Sequence, residues 1–584
     1  MLRLARYLKK FMLNVTVGPA CKLTEAIFEL IVPLVMAEII DVGIANGDTD
    51  YIWRHGVTLV ILAVCGLTFA LVCQYMASAA SQGVGTRLRD DLYAHINTLS
   101  YRELDKLGTA ALVTRISNDV NQVQTAVAML IRLVVRAPFL VIGATIMAFT
   151  ISARLSLIFL GAMAAIVGVM YPIMRVTVKL FKKQQKSLDG ISRITRENLS
   201  GVRVVRAFSR QDYERERFEE TAEEYRKFAV RAGRINALLN PAIFVAVNIA
   251  YLLIVWIGGG FVDGGIDGLT QGKVIALVNY MTQISLALVV VANLVTIFTK
   301  AAASSARINE IFDMQSSIIG AQTSPKQDEN APAVEFDNVS FSYVGGENSL
   351  EKISFSLSRG ETLGIIGGTG SGKSTLVNLL CRFYDTDSGA VKVNGADVRD
   401  YPTEELRRLI GIVPQKTELL SGTLRENMTL GRTDISDEQI QKALEIAQAK
   451  DFTDNLDGGL DARILQGGKN LSGGQKQRLT IARAVAQNPE ILILDDSSSA
   501  LDYATDANLR KALKTLPVTC VIVSQRANSI RHADKIIVLD DGEAAGIGTH
   551  AQLLKSCEVY REICLTQYTE EELLKQEKEE GGAL

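Results

Sequence analysis

The residues whose types and spacing most directly imply chemistry are 367–375, GGTGSGKST, in a chain of 584 residues. They fit the pattern G-x-x-x-x-G-K-[ST], with Gly367 and Gly372 framing it and Lys373 and Ser374 closing it. Residues 363–366 are an apolar run that reads as a strand, and residues 374–380 read as a helix, so the motif has the setting it requires. Across Gly367, Gly368, Thr369, Gly370, Ser371 and Gly372, successive backbone N–H groups turn inward around phosphate oxygens, and the helix that holds Thr375 adds partial positive charge at its N-terminus. Lys373 is expected to neutralise the β- and γ-phosphates, and the Ser374 hydroxyl to ligate Mg²⁺. An accidental glycine-rich turn would not carry both flanks. The stretch reads as a nucleoside triphosphate site.

The chain that must position this site is too long for one core, so at least two domains are expected. A net charge of −2 and a pI of 6.2 give no case for nucleic-acid binding. The mean hydropathy of +0.17 averages two unlike halves. Most of the long apolar runs lie before residue 300, and the remainder of the chain has ordinary soluble composition. The seven cysteines (Cys21, Cys65, Cys73, Cys381, Cys520, Cys557, Cys564) are odd in number and form no CxxC pair and no cluster with histidine, which supports neither a disulfide framework nor a zinc site. No cleavable signal peptide is evident. The basic, amphipathic start MLRLARYLKKFML suits a helix lying on the inner membrane surface.

A membrane-spanning helix needs about 20 mostly apolar residues. Six stretches qualify: 20–44, 57–80, 127–151, 155–176, 237–262 and 274–298, the third and fourth separated only around Ala153 and Arg154. Residues 46–51 and 258–272 are short and acidic or neutral, whereas 87–119 and 179–234 are long and rich in Lys and Arg. The excess of positive charge places those long segments and both termini in the cytoplasm. Residues 85–99 and 212–228 have apolar positions at helical spacing among many charges, so the spans are expected to continue as helices towards the nucleotide-binding part.

Charges inside spans point to function by default. Glu25 and Glu29 lie four apart, on one helix face. An unpaired carboxylate there costs about 2.5 kcal/mol or more, so each needs a water-filled cavity, a cation or a raised pKa. Two readings stand: a cavity for cationic amphipathic substrates, or pairing with a residue such as Lys22 or Arg132. Arg132 and Arg136, near the inner end of the third span, fit snorkelling to the headgroups. Asn248, Tyr251, Asn279, Tyr280, Gln283 and Asn293 are the polar candidates to face a passage.

Residues 315–333 are polar, hold prolines and lack periodicity, which reads as a linker. From Val334 strands alternate with helices, as in an α/β domain, with later strands at 491–494 and 520–523. Residues 569–584 form a charged tail.

Over nearly its whole length the chain resembles an ATP-binding cassette (ABC) exporter half-transporter. The most diagnostic element is LSGGQ at 471–475, which other phosphate-loop ATPases do not share. The resemblance implies an all-α transmembrane domain (1–314) of six helices with long cytoplasmic extensions, the linker 315–333, an α/β ATPase domain (334–568) and the tail, paired into a domain-swapped dimer in the plasma membrane of a bacterium. It implies ATP and Mg²⁺ as cofactors. Tyr343 in SFSY would stack on adenine. Gln415 in IVPQ would contact Mg²⁺ and the attacking water and relay movement to the membrane domain. Asp495, ending ILILD, would hold Mg²⁺ through a water, and Asp502 in SALD would bridge two ATPase domains. Each nucleotide would lie on one subunit's phosphate loop and under the other's LSGGQ, where Ser472, Gly473, Gly474 and Gln475 open a helix aimed at the γ-phosphate.

Two positions depart from that family at the chemistry itself. Asp496 stands where the family has the Glu that polarises water; one methylene shorter, its carboxylate sits roughly 1 Å back, enough to cost about 10²-fold in rate. Gln525 stands where the family has a switch histidine on the γ-phosphate, and a Gln cannot act as a cationic or proton-transferring partner. The chain's histidines, His55, His95, His532 and His550, are not close by in sequence. A milder departure is Gln466-Gly467-Gly468 before LSGGQ. The two departures together resemble heterodimeric multidrug-type exporters with one degenerate and one hydrolysing site, and imply a second half-transporter carrying the Glu and His. Membrane lipid and a small amphipathic substrate (drug, lipid or peptide) are the other expected partners. The alternatives are a homodimeric exporter with slow ATPase and a membrane-tethered mechanical or regulatory ATPase; six spans argue against the second, and no regulatory insertion favours a channel.

Overall fold

The computed structural model describes residues 2–573 apart from 327, 329, 344, 345, 347, 498 and 499. Two serines of LDDSSSALD (Ser498 and Ser499) and the tail from residue 574 lie outside the described residues. The chain divides into two compact units. One holds the residues up to Asn97 with Gly108–Met314; the other holds Thr98–Leu107 with the residues from Gln315 onward.

The first unit is helical throughout. Its long helices are Met12–Glu38, Thr49–Thr98, Arg136–Ile151, Ala153–Ser200, Gln211–Ala237, Leu239–Asp263 and Gln271–Asp313. At 1.5 Å per residue the 50-residue helix Thr49–Thr98 is about 75 Å long, more than twice a bilayer's hydrocarbon core. In Thr49–Thr98 and Ala153–Ser200 a charged stretch and an apolar span are therefore one continuous helix. Val60, Ile61, Val64 and Leu67 are all more than half exposed, an apolar face that the rest of the chain leaves uncovered. The break between the third and fourth spans is a single residue. Ser152 is extended, and its side chain accepts from Leu155 N (3.4 Å), capping the next helix.

Five helical segments among the described residues are long and apolar enough to cross a membrane. The first expected span differs. It is helical from Met12 to Glu38 and runs on through a π-helical turn, Ile39–Ile44, but Lys22, Glu25, Glu29 and Glu38 dilute its apolar character. Its charges are matched in place. Lys22 pairs with Glu25, and Arg136 donates from Nη2 to both carboxylate oxygens of Glu29 (2.6 and 2.7 Å). Both carboxylates are thus paired within the bundle, as the pairing reading expects. The local partner Lys22 is as expected. The partner of Glu29 is Arg136, which pairs inside the bundle rather than snorkelling.

Pro33 lies inside this helix and has no N–H to give the carbonyl four residues back. That carbonyl belongs to Glu29, and Gln283 Nε2 donates to it at 3.0 Å; Tyr280 donates to the next carbonyl, Leu30 O, at 2.7 Å. In lipid an orphaned carbonyl costs several kcal/mol, roughly, which explains polar side chains at these positions of Gln271–Asp313. Around them Leu140, Ala144, Phe159, Ile254, Leu277 and Met281 form the buried core, with alanines letting helices approach.

The second unit is built on two sheets. One is antiparallel, in the spatial order Asn348–Leu357, Val334–Ser342, Ser388–Val393, Ala396–Asp397. The other has six strands in the order Glu543–Gly548, Lys535–Asp540, Thr362–Gly367, Thr519–Val523, Ile491–Asp495, Ile410–Val413, all parallel except the outermost pair Glu543–Gly548 and Lys535–Asp540. The near-continuous apolar runs in the central strands reflect burial on both faces. The short helix Tyr101–Leu107 belongs to this unit: the Tyr101 ring lies 4.7 Å from Phe383, and Tyr384 donates its hydroxyl to Asp105.

Burial pushes the Cys381 thiol up to about 12 and the Cys520 thiol to about 11. A thiol that stays protonated is not a nucleophile. Native protein treated with iodoacetamide at about pH 8 should therefore leave both unmodified by mass spectrometry, and guanidinium should expose both to labelling. Labelling of either in the native state would contradict the packing described.

Candidate functional site

The sheet order gathers the sequence-assigned residues along one edge. Thr362–Gly367 leads into the phosphate loop and the helix Lys373–Leu380. Beside it, Val523 pairs with Ile365 on one side and Asp495 on the other, so these three are level. The ladder continues past the strand ends: Ser524 N donates to Ile365 O (3.0 Å) and Asp496 N to Val523 O (2.9 Å). Gln525 therefore emerges between the phosphate loop and the Asp495-Asp496 pair. On the far side Val413 pairs with Leu494, which brings Pro414 and Gln415 up next to Asp496. Strand ends at a parallel sheet's C-terminal edge are where ligands bind in such folds.

Within the loop, glycine is a steric necessity at two places. A Cβ on Gly367 would lie 2.1 Å from Leu539 O, and Gly372 has φ 96° with Ser349 O only 2.6 Å from a built Cβ. Gly368, Thr369 and Gly370 are exposed, Ser371 and Thr375 are buried, and Ser374 is exposed at the start of the helix. The Lys373 ammonium donates to Gly367 O (2.9 Å), Gly368 O (2.5 Å) and Ser371 Oγ (3.3 Å). Burial lowers its pKa, and Asp495 and Asp496 pull it back up. One ammonium thus faces two carboxylates. Burial raises the pKa of Asp495, the Asp496 charge raises it further, and Lys373 opposes both. Asp496 is raised by burial and lowered by a hydrogen bond from the Gln415 side chain and by the Arg526 and Lys373 charges. Its backbone is left-handed (φ 48°), a conformation Asp tolerates better than most residues.

No cluster of three His, Cys, Asp or Glu occurs among the described residues. Mg²⁺ bound through nucleotide phosphates needs only one or two protein oxygens and keeps its waters. Ser374, Gln415 and Asp495 are oxygen donors of that kind. Tyr343 is exposed, accepts from Asn378 Nδ2 (3.4 Å) on the loop's own helix, and is held edge-on by Phe341 and Tyr384 at 5.0 and 5.2 Å.

LSGGQ lies elsewhere in the unit. Ser472 caps the helix Gly473–Ala486: its hydroxyl accepts from Gln475 N (3.3 Å), and the Gln475 side chain accepts from Ser472 N (2.9 Å). That helix packs with Asp437–Ile446 in a core separate from the one beneath the phosphate loop. Asp502 caps Tyr503–Leu513, accepting from the N and Oγ1 of Thr505 (2.9 and 2.8 Å), and those bonds lower its pKa. Gln466–Gly468 is a tight turn anchored by Gly467 N on Leu419 O (3.0 Å).

Three residues that sequence reasoning passed over shape the site. Gln567 donates to Gln525 O (2.8 Å) and accepts from Ala527 N (2.9 Å), clamping the turn that presents Gln525. Nothing in local sequence flags it. Arg526 lies over the Tyr503 ring (5.4 Å) and biases Asp496; it was legible as the cation next to Gln525. Tyr384 links Tyr343 to Asp105.

Known proteins resemble the chain along nearly its whole length. The ABC transporter transmembrane region family matches residues 15–288, and the ABC transporter family matches residues 350–499. The chain is 38% identical over 556 residues to an uncharacterised ABC transporter ATP-binding protein of Mycobacterium tuberculosis, covering 94% of each. It is 28% identical over 579 residues to an ATP-dependent lipid A-core flippase of Vibrio parahaemolyticus, covering 97% of this chain and 98% of that one. The solved structure of a bacterial Atm1-family ABC exporter with ATP bound matches with a TM-score of 0.78 at 25% identity, covering 97% and 99% of the two chains.

Replacing Gly372 by Ala should unseat the loop, because the new Cβ meets the backbone oxygen of Ser349 as well as the Leu350 side chain, at a φ of 96°. Fluorescence titration with a MANT-labelled ATP should show affinity reduced at least about tenfold for Gly372→Ala and for Lys373→Ala, the latter by loss of a charge-assisted contact. Unchanged affinity in both would remove 367–375 as the phosphate site.

Proposed function

This chain belongs to the ABC transporter family as an exporter half-transporter, a multi-pass membrane ATPase using ATP with Mg²⁺, and from that premise we propose that it binds ATP at a slow site of its own and completes the hydrolysing site of a second, different half-transporter. The transmembrane domain is 1–314, the linker 315–333, the ATPase domain 334–568 and the tail 569–584. In this reading 367–375 hold the phosphates, Tyr343 stacks on adenine, Ser374, Gln415 and Asp495 serve Mg²⁺, and Asp496 and Gln525 face the γ-phosphate. Ser472, Gly473, Gly474 and Gln475 cover the partner's nucleotide, and Asp502 lies at the subunit junction. The cargo is an amphipathic drug, lipid or peptide.

The supporting observation is that both departures fall on neighbouring strand ends. Asp496 follows Ile491–Asp495 and Gln525 follows Thr519–Val523, two strands paired directly in register. A shorter carboxylate and an uncharged amide therefore share one locus, while the loop, Lys373 and LSGGQ keep their form. Drift would not select the two groups nearest the bond that breaks. LSGGQ is on a separate core from its own phosphate loop and opens an exposed helix N-terminus, as a group serving a second subunit's nucleotide must.

The chain purified alone in lipid nanodiscs should bind ATP yet hydrolyse it slowly. Asp496→Glu with Gln525→His should raise turnover, by up to about 10²-fold if the 1 Å setback is the main defect. A phosphate-release assay decides: wild-type turnover equal to that of the double variant would overturn the slow-site reading and leave a working homodimer.

In the complex with its partner half-transporter the two sites should respond unequally. Ser472→Ala should lower turnover at least about tenfold, whereas Asp496→Asn should change it by less than about twofold. The reverse pattern in the same assay would exchange the fast and slow sites.

A further inference from the structure

The turn that carries Gln525 leaves the sheet with backbone groups still to satisfy. Ser524 N donates to Ile365 O (3.0 Å) and Arg526 N to the Ser524 hydroxyl (3.0 Å), but Gln525 O and Ala527 N lie beyond the strand ladder. One side chain, 42 residues after Gln525, answers both: Gln567 Nε2 donates to Gln525 O (2.8 Å), and Gln567 Oε1 accepts from Ala527 N (2.9 Å). We infer that Gln567 is a positioning residue for γ-phosphate recognition, acting through Gln525. This deepens the proposed nucleotide site and rests on the reading that Gln525 faces the γ-phosphate.

A carboxamide holds a donor and an acceptor side by side, so it can serve one C=O and one N–H of a turn at once. Lys could only donate, an ionised Glu could only accept, and Leu could do neither. The two contacts bracket Arg526, which fixes the backbone on both sides of it. Gln567 is itself anchored. Its own N–H and that of Tyr568 donate to Cys564 O (both 2.9 Å), on the helix Glu558–Leu565. Cys564 and Tyr560 are buried in one core with Ala527 and with Ile366, the residue before Gly367. The support for the Gln525 turn and the strand that feeds the phosphate loop therefore share that core.

Gln525 is exposed at its strand end. Its placement thus depends on the backbone beneath it rather than on side-chain packing. A displacement of about 1 Å is enough to spoil a contact to a reacting group. The inner phosphates belong to residues 367–375, so loss of Gln567 should be felt at the γ-phosphate alone.

The test titrates the full-length chain in lipid nanodiscs with MANT-labelled AMP-PNP, whose γ-phosphate resists hydrolysis, and with MANT-ADP, which has none. Gln567→Leu removes both hydrogen bonds at similar volume. It should weaken MANT-AMP-PNP about fivefold or more and change MANT-ADP by less than about twofold. Gln525→Ala should show the same selective loss. Adding Gln567→Leu to Gln525→Ala should cost nothing further, because a residue that acts through Gln525 then has nothing left to position. A clamp with a structural role only would weaken both nucleotides alike and add to the effect of Gln525→Ala. Either of those results, or unchanged binding of both nucleotides by Gln567→Leu, overturns the inference while a selective loss in Gln525→Ala leaves the γ-phosphate reading standing. If Gln525→Ala binds MANT-AMP-PNP as the wild type does, the γ-phosphate reading of Gln525 falls, and the role of Gln567 falls with it.

Discussion

The parallel pairing of Thr519–Val523 with a strand on each side is the constraint on which the nucleotide site depends. Val523 is level with Ile365 and Asp495, and two further backbone bonds extend the register to Ser524 and Asp496. A slip of one residue would turn every side chain to the opposite face and carry Gln525 and Asp496 away from Lys373. Burial on both faces forbids that slip, since Val521 and Val523 lie in one core and Cys520 in the other. The chemistry at the edge is therefore as well placed as the sheet is packed.

That edge concentrates charge of both signs in a poorly solvated place. Lys373 confronts Asp495 and Asp496, and Arg526 adds a second cation near Asp496. Magnesium and three phosphates bring charges that the protein already partly mirrors, which is the preorganisation electrostatic catalysis relies on. Asp496 and Gln525 emerge at the same edge, on neighbouring strand ends.

In the membrane half the governing constraint is that backbone polar groups find no water. Pro33 breaks one helical bond, and the repair determines what Gln283 and Tyr280 do. Asp41, at the other end of the same helical segment, accepts from Thr270 and from Gly272 N (2.8 Å), joining it to the start of Gln271–Asp313. Each acidic charge in this helix has a partner: Glu25 has Lys22, Glu29 has Arg136 and Glu38 has His55. Sequence showed Glu25 and Glu29 on one face and Lys22 within reach of the first. It could not show that Arg136, after a π-helical turn at Leu130–Val134, reaches Glu29. The register of a helix after such a turn is not set by 3.6-residue periodicity.

Local pattern determined the phosphate loop, its strand and helix, the helical character of the spans and their extensions, and the break beside Ala153. Each of these rests on residues within a few positions of one another, where spacing and backbone preference suffice. Asp496 and Gln525 were also legible, because they adjoin strands that apolar runs mark. Only the tertiary structure decided which groups meet them. Gln415 bonds Asp496 because Ile410–Val413 pairs with Ile491–Asp495, and Gln567 clamps the Gln525 turn from the far end of the domain. It likewise decided that Gln283 answers Pro33. Strand order and the packing of distant helices depend on which apolar faces exclude water together, a property of the whole fold that no window of sequence contains.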